Sequence, residues 1–300
     1  MSRLVGNWDD FGMDAMSFGG SLEVRLQAMR DAGFSQVMIS ARDLSGHPGG
    51  IPAATAAIKT SGLRLTGLQM LCDYEGLDEP LHHYKIDIAK AMIDLCAAVG
   101  AQVLVVTSST LPQSTTDRDA IARDLRKLAI LAIPSRVRIA YQALSWGKCV
   151  TEFTDAWDVV CRADAPNLGI GIDSFHTIAK ATALDELELI DSEKIFMVRL
   201  ADFMWAELGS GQDQINAARR LSVFPGEGMH SAQVSALVRQ LDAIGYRGDF
   251  SFHVINDDYR QLPHAFVADR ARRAAEWLGE KVLRRSVPVF EGMPRREVSG

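Results

Sequence analysis

Two ionisable side chains interrupt apolar runs where a strand would bury them: Arg199 in Phe196-Met197-Val198-Arg199-Leu200 and His253 in Phe252-His253-Val254. A guanidinium in a central strand is costly to bury without an anion, so Arg199 calls for a carboxylate partner. His253 fits a satisfied core histidine, or a general acid or base whose pKa small shifts place near neutrality. Other reactive side chains also follow apolar runs. Asp173-Ser174-Phe175-His176 closes Leu168 to Ile172, Tyr141-Gln142 leads into Ser145-Trp146-Gly147-Lys148-Cys149, and Gln69 to Glu75 reads QMLCDYE. Ser40 to Asp43, Thr107 to Thr110, Asp202, Asn256 and Asp257 stand in the same relation to their own runs. Plainer roles compete: Asp173 could cap a helix, Asp257 with Asp258 could form a solvated loop, and Cys72 and Cys149 could be inert thiols.

The elements that must position these groups repeat. Candidate strands are Leu4 to Asn7, Gln36 to Ser40, Arg64 to Gln69, Gln102 to Thr107, Val137 to Gln142, Leu168 to Asp173, Ile195 to Ala201 and Asp249 to Val254. Between them, stretches such as Leu22 to Ala32, Tyr84 to Val99, Asp117 to Ile133, Glu152 to Arg162, Ser231 to Ile244 and Ala265 to Leu278 carry apolar residues at helical spacing. Gly33, Gly62, Gly100 and Gly245 each fall where a helix must stop before the next strand. Eight strand-helix units without a Pro/Gly/Ser-rich linker predict one (β/α)8 TIM barrel over residues 1–285 and an irregular tail over 286–300. A doubly wound sheet is disfavoured, because no GxGxxG follows the first candidate strand. In a barrel the site lies at the C-terminal strand ends, where all the polar groups named above fall.

Composition narrows the partners. A net charge of -6 with mixed signs offers no basic stripe for nucleic acid. No apolar run approaches a membrane span, and Met1 to Asp10 lacks the pattern of a signal peptide, so a cytoplasmic protein with a small-molecule substrate is expected. The four cysteines have no metal-knuckle spacing and read as reduced thiols.

Five ordered motifs then carry a resemblance. They are Tyr141-Gln142-Ala143-Leu144-Ser145-Trp146-Gly147, Asn167 to His176 (NLGIGIDSFH), Leu200-Ala201-Asp202, Phe224-Pro225-Gly226-Glu227-Gly228 and Gly245-Tyr246-Arg247-Gly248. From about residue 20 to 280 the chain resembles the sugar phosphate isomerase/epimerase group of xylose-isomerase-like barrels, and within it looks most like the 3-dehydroshikimate dehydratase branch. The resemblance implies an isomerase or lyase (dehydratase), a homo-oligomer, and a divalent metal held by Glu, Asp, Gln or His, and Glu at four strand ends. Gln142, Asp173, Arg199 and His253 occupy those positions here, so the aspartate alone is kept. With His253 neutral the four side chains sum to zero charge, against about three negative charges in the family set. A dication ~5 Å from the guanidinium would be repelled by about 6 to 7 kcal/mol at an effective dielectric of ~20. The resemblance also places an Arg at Cys72, a His at Cys149 and an acid near Ser40 to Ala41.

Three readings remain open. In the first, no metal is bound: Arg199 pairs with Asp173 in the place of the lost dication, and His253 acts as base or acid with His176 or Lys148 as partner. Gln142, Cys72, Trp146, Asp202 and Asn256 would then bind a small polyhydroxylated or cyclic keto acid. Glu227 in its Gly turn argues against a phosphorylated one. In the second, Asp173 and His253, with His176 and a thiol, hold zinc, manganese or magnesium in an altered way. In the third, the barrel binds a small molecule without turning it over.

Overall fold

The β-branched runs and amphipathic stretches fold into alternating strands and helices. In the computed structural model, which describes residues 11–284, the strands are β1 (Phe11–Asp14), β2 (Gln36–Ser40), β3 (Arg64–Cys72), β4 (Val103–Thr107), β5 (Arg138–Gln142), β6 (Leu168–Asp173), β7 (Ile195–Leu200) and β8 (Phe250–Phe252). Each pairs in parallel with the next, and β8 closes on β1. The helices are α1 (Leu22–Asp31), α2 (Ala41–Ser45), α3 (Gly50–Ser61), α4 (Leu81–Val99), α5 (Arg118–Ala132), α6 (Phe153–Ala163), α7 (Ser174–Ala179), α8 (Gly211–Arg220), α9 (Ser231–Ala243) and α10 (His264–Glu276). None of the described helices is long and apolar enough to cross a membrane.

Strands β2 to β8 lie where the sequence places them, and the first does not. The expected strand Leu4 to Asn7 falls outside the described residues, as does the expected tail 286–300, and the barrel's first strand is Phe11–Asp14. The correction moves a carboxylate, Asp14, to a strand end.

Helix ends follow the glycine pattern: Gly33, Gly62, Gly100 and Gly245 take φ of 92°, 70°, 79° and 88°, the left-handed region a side chain resists. Helix α6 shows why the amphipathic stretches pack: Phe153, Ala156, Val159, Val160 and Ala163 fall on one face and are buried.

Strand residues alternate between two apolar clusters. Val37, Ile39, Leu104, Val106, Ile170 and Ile172 pack with the helices, whereas Met38, Val103, Val105, Ala140 and Met197 form a separate cluster inside the barrel. The same period of two turns Asp14, Gln69, Thr107, Gln142, Asp173, Arg199 and His253 inward, one layer above that apolar floor.

The barrel wall is tight at Gly169 on β6, where an added Cβ would overlap the Lys194 carbonyl and the Phe196 ring. Gly169→Ala is therefore expected to cost about 1–3 kcal/mol, because backbone must move to make room. Urea denaturation measures this, and an unchanged midpoint would contradict the packing described.

Candidate active site

The ring is organised by Arg199, which has no exposed surface. Its guanidinium crosses the barrel from β7. Nη2 donates to Asp14 Oδ2 on β1 at 2.9 Å and to Gln69 Oε1 on β3, and Nη1 reaches Gln142 Oε1 on β5 at 3.4 Å. Ser251 Oγ donates to the other Asp14 oxygen at 3.2 Å. The anion partner required of Arg199 is thus present, but it is Asp14 and not the expected Asp173. Asp173 sits beside Arg199 in register, yet its carboxylate is engaged elsewhere.

Asp173 Oδ1 caps α7 by accepting from Phe175 N at 2.9 Å, and Oδ2 accepts from His253 Nδ1 at 3.1 Å. Both the capping reading and the site reading of this residue therefore hold in one side chain. Burial alone would raise the Asp173 pKa. The hydrogen bond from His253, with His176 and Arg199 nearby, outweighs it and holds the carboxyl well below its usual range. Because a carboxylate only accepts, Nδ1 of His253 carries the proton. Nε2 has no hydrogen-bond partner among the described residues and stands 3.8 Å from Asp14 Oδ2. A proton taken up at Nε2 would lie between two carboxylates.

His176, on the first turn of α7, is arranged the other way. Its Nδ1 accepts from Ser145 N at 3.1 Å, so the proton belongs on Nε2. Burial pushes the imidazole down to about 4, more than Asp173 pulls it up, and it is neutral at pH 7. The edge of Trp146, 4.8 Å away between ring centroids, fixes the plane.

Above the ring opens a narrow cavity lined by strand-end and loop side chains. Met70, Leu144, Trp146, Phe175, Ala201 and Ile255 make an apolar wall; Cys72, Thr107, Gln142, Asp173, His176, Arg199, Ser222, His253 and Arg219 supply the polar groups. Of the residues singled out in the sequence, Cys72, Gln142, Trp146, Asp173, His176, Arg199 and His253 are brought together here. Three are not. Lys148 is exposed, and its backbone N–H is bound to Ser109 O. Asp202 is spent on the following loop, accepting from Phe203 N, Gly228 N, His230 N and Ser231 Oγ. Asn256 shapes a turn, accepting from Asp258 N and Tyr259 N while donating to Ser222 O.

Sequence reasoning missed Asp14, because the first strand was misplaced, and Arg219, because α8 buries little besides Ala217 and lacks an apolar stripe. The Arg219 guanidinium lies 5.8 Å from the Trp146 ring centre and has no carboxylate within ion-pair reach among the described residues. Among the described residues it is a cation of the cavity without an anion partner.

The residues at the four implied metal positions do not fit a divalent ion. A buried guanidinium occupies one of them, Asp173 is engaged by His253 and Phe175, and no group of three or more His, Cys, Asp or Glu residues gathers for coordination among the described residues.

A family model for the xylose isomerase-like TIM barrel matches residues 26–281. The 3-dehydroshikimate dehydratases of Pseudomonas aeruginosa and Pseudomonas putida are 32% and 30% identical over 91% and 93% of the chain, which spans 43% and 44% of their lengths. An inosose isomerase of Bacillus licheniformis is 27% identical over 65% of the chain and 69% of its own. A solved xylose isomerase-like TIM barrel/4-hydroxyphenylpyruvate dioxygenase fusion protein superposes with a TM-score of 0.85 at 28% identity, covering 95% of this chain and 45% of that one. An IOLI protein with a bound zinc atom shares the fold at a TM-score of 0.78 and 21% identity, covering 91% of this chain and 99% of that one.

Two outcomes test the electrostatics. Asp14→Ala should cost about 3–5 kcal/mol in chemical denaturation by stranding the guanidinium, whereas the double change Asp14→Leu with Arg199→Met should cost far less. Equal losses would mean that packing, not charge, dominates. His176 is protonated more easily unfolded, at its ordinary 6.5, than folded, at about 4. Its contribution is present above pH 6.5 and lost as pH falls towards 4, an effect of about 2–3 kcal/mol. His176→Asn should flatten that part of the stability–pH curve; an unaltered slope would contradict a neutral buried imidazole.

Proposed function

Since the chain belongs to the xylose isomerase-like TIM barrel family, we propose that it is an isomerase- or lyase-type enzyme that acts on a small polyhydroxylated or cyclic keto acid by acid–base chemistry without a divalent ion. The carrying observation is the Asp173–His253 pair beside a guanidinium already neutralised by Asp14. A substrate carboxylate meets Arg219, and the apolar part of the molecule lies against Trp146. The ketone oxygen accepts from His176 Nε2–H. His253 Nε2 removes the proton next to the carbonyl, and the electron pair of that C–H bond moves towards oxygen to give an enolate. Asp173 and Asp14 hold the resulting imidazolium, as a carboxylate does for a catalytic histidine elsewhere. The donor that stays on the enolate oxygen is His176 Nε2–H. In an α-hydroxy ketone, passage of the hydroxyl proton to the enolate oxygen and return of the His253 proton to the former carbonyl carbon move the C=O by one position and complete an isomerisation. Delivering the His253 proton to a β-hydroxyl, which leaves as water as the enolate collapses to a C=C bond, completes a dehydration.

The relatives' names supply the compounds to try: 3-dehydroshikimate, which has a carboxylate for Arg219, and inososes, which do not. Chelator-treated protein is expected to turn over a keto acid of the first kind. His253→Ala should lower kcat by about 10²-fold or more, and Arg219→Ala should raise KM while leaving kcat nearly unchanged. One equivalent of zinc or manganese in protein purified without chelator would overturn the metal-free reading. Ligand binding without turnover, indifferent to His253→Ala, would overturn the enzymatic one.

A further inference from the structure

The QMLCDYE segment ends in an acid that the site does not use. Glu75, 2% exposed, follows β3 and does not line the cavity. Its Oε1 accepts from Ser109 N at 2.6 Å and from Tyr141 Oη at 2.9 Å, while Oε2 is buried with no partner among the described residues. These bonds tie the loop after β3 to the loop after β4. Asp73 Oδ1 adds a second tie through Thr110 N at 2.7 Å, and Thr115 N to Gly76 O, at 2.8 Å, a third. The loop after β4 in turn holds the loop after β5: Leu144 N donates to Ser108 Oγ at 3.0 Å and Lys148 N to Ser109 O at 2.8 Å. Between those two anchors lies Ser145, whose N–H fixes the tautomer of His176.

We propose that Glu75 is a positioning residue for His176: its buried carboxyl group sets the loops after β3, β4 and β5 so that Ser145 N–H stays on Nδ1 and Nε2–H is kept for the cavity. The proposal rests on His176 as the neutral donor to substrate. A chain of hydrogen bonds held at both ends of a short loop transmits a displacement that an exposed anchor would dissipate into solvent. Burial, opposed by the bonds from Ser109 and Tyr141, pushes Glu75 up to about 7. Ionisation makes Oε1 the stronger acceptor, so the loops tighten as pH rises through neutrality. The other titratable groups around it are Asp73 on its own loop, Tyr74, His82 on α4, Asp124 on α5, Tyr141 on β5, and Cys149 and Asp155 by α6. Tyr74, Tyr141 and Cys149 are all shifted upward, away from neutral pH.

The test needs no turnover, so its failure is distinguishable from failure of the enzymatic reading. In the full chain labelled with ¹⁵N-histidine, His176 ring signals, assigned with His176→Asn, are followed from about pH 6 to 8.5. The wild type should show a step near neutrality while Nε2 stays protonated. Glu75→Gln, which keeps the acceptor and removes the charge, should abolish the step, and His82→Gln, the control for the second histidine in the cluster, should leave it. Glu75→Ala should raise amide hydrogen exchange over residues 144–148 by about tenfold, as expected for loss of one charge-assisted hydrogen bond. A step that survives in Glu75→Gln overturns the proposal, as does unchanged exchange in a folded Glu75→Ala. If Glu75→Ala does not fold, the Glu75→Gln titration decides alone.

Discussion

The site depends on one interaction, the ion pair between Arg199 and Asp14 at the centre of the barrel, neither of them exposed. A guanidinium does not give up its proton, so it places a permanent positive charge where water is excluded, and the surrounding groups must answer it. Asp14 answers with charge, Gln69 and Gln142 with carbonyl dipoles. Such a pair is weak evidence for stability, since well-packed apolar side chains could replace it at little cost. Its evident consequence is geometric. One long side chain joins β7 to β1, β3 and β5 and forms the floor on which a ligand would rest.

The charges in the ring then assign opposite characters to two histidines. Asp14, Asp173 and Arg199 sum to one negative charge, which a single proton on His253 Nε2 would cancel. His176 has a backbone N–H against its unprotonated nitrogen, so a second proton there would face that donor. One ring therefore leaves a bare nitrogen near a carboxylate and the other a hydrogen-bond donor. The difference arises from a carboxylate facing one Nδ1 and an amide facing the other.

The sequence made much of this legible. Apolar runs such as Leu168 to Ile172 and glycines such as Gly62 and Gly100 mark strands and helix ends by local physics alone, and the need for an anion beside Arg199 followed from burial. The identity of that anion did not. β1 is Phe-Gly-Met-Asp, four residues with no β-branched side chain, while Leu4-Val5 nearby has the stronger strand preference. Even with the strand placed, register puts Asp173 next to Arg199, and only the reach of the guanidinium across the barrel selects Asp14. Asp202 and Asn256 mislead for another reason. A polar side chain at a strand end has the same type and spacing whether it faces a ligand or holds a loop.

That ambiguity also bears on what the likeness to other proteins conveys. Many residues of the motifs that carry the likeness hold the scaffold. Asp202 fastens the Gly228 to Ser231 turn, and a Cβ on Gly228 would overlap its carboxylate. Glu227 accepts from Tyr259 Oη, Asn167 donates to Ala129 O and Val137 O, and Tyr246 Oη donates to Asp249 O. These bonds serve the barrel whatever it catalyses, and so the residues that make them report the fold. Inward-facing positions such as Gln142, Arg199 and His253 can change without loosening any of those bonds. In this chain they differ from the implied metal set, so family membership constrains the architecture tightly and the reaction loosely.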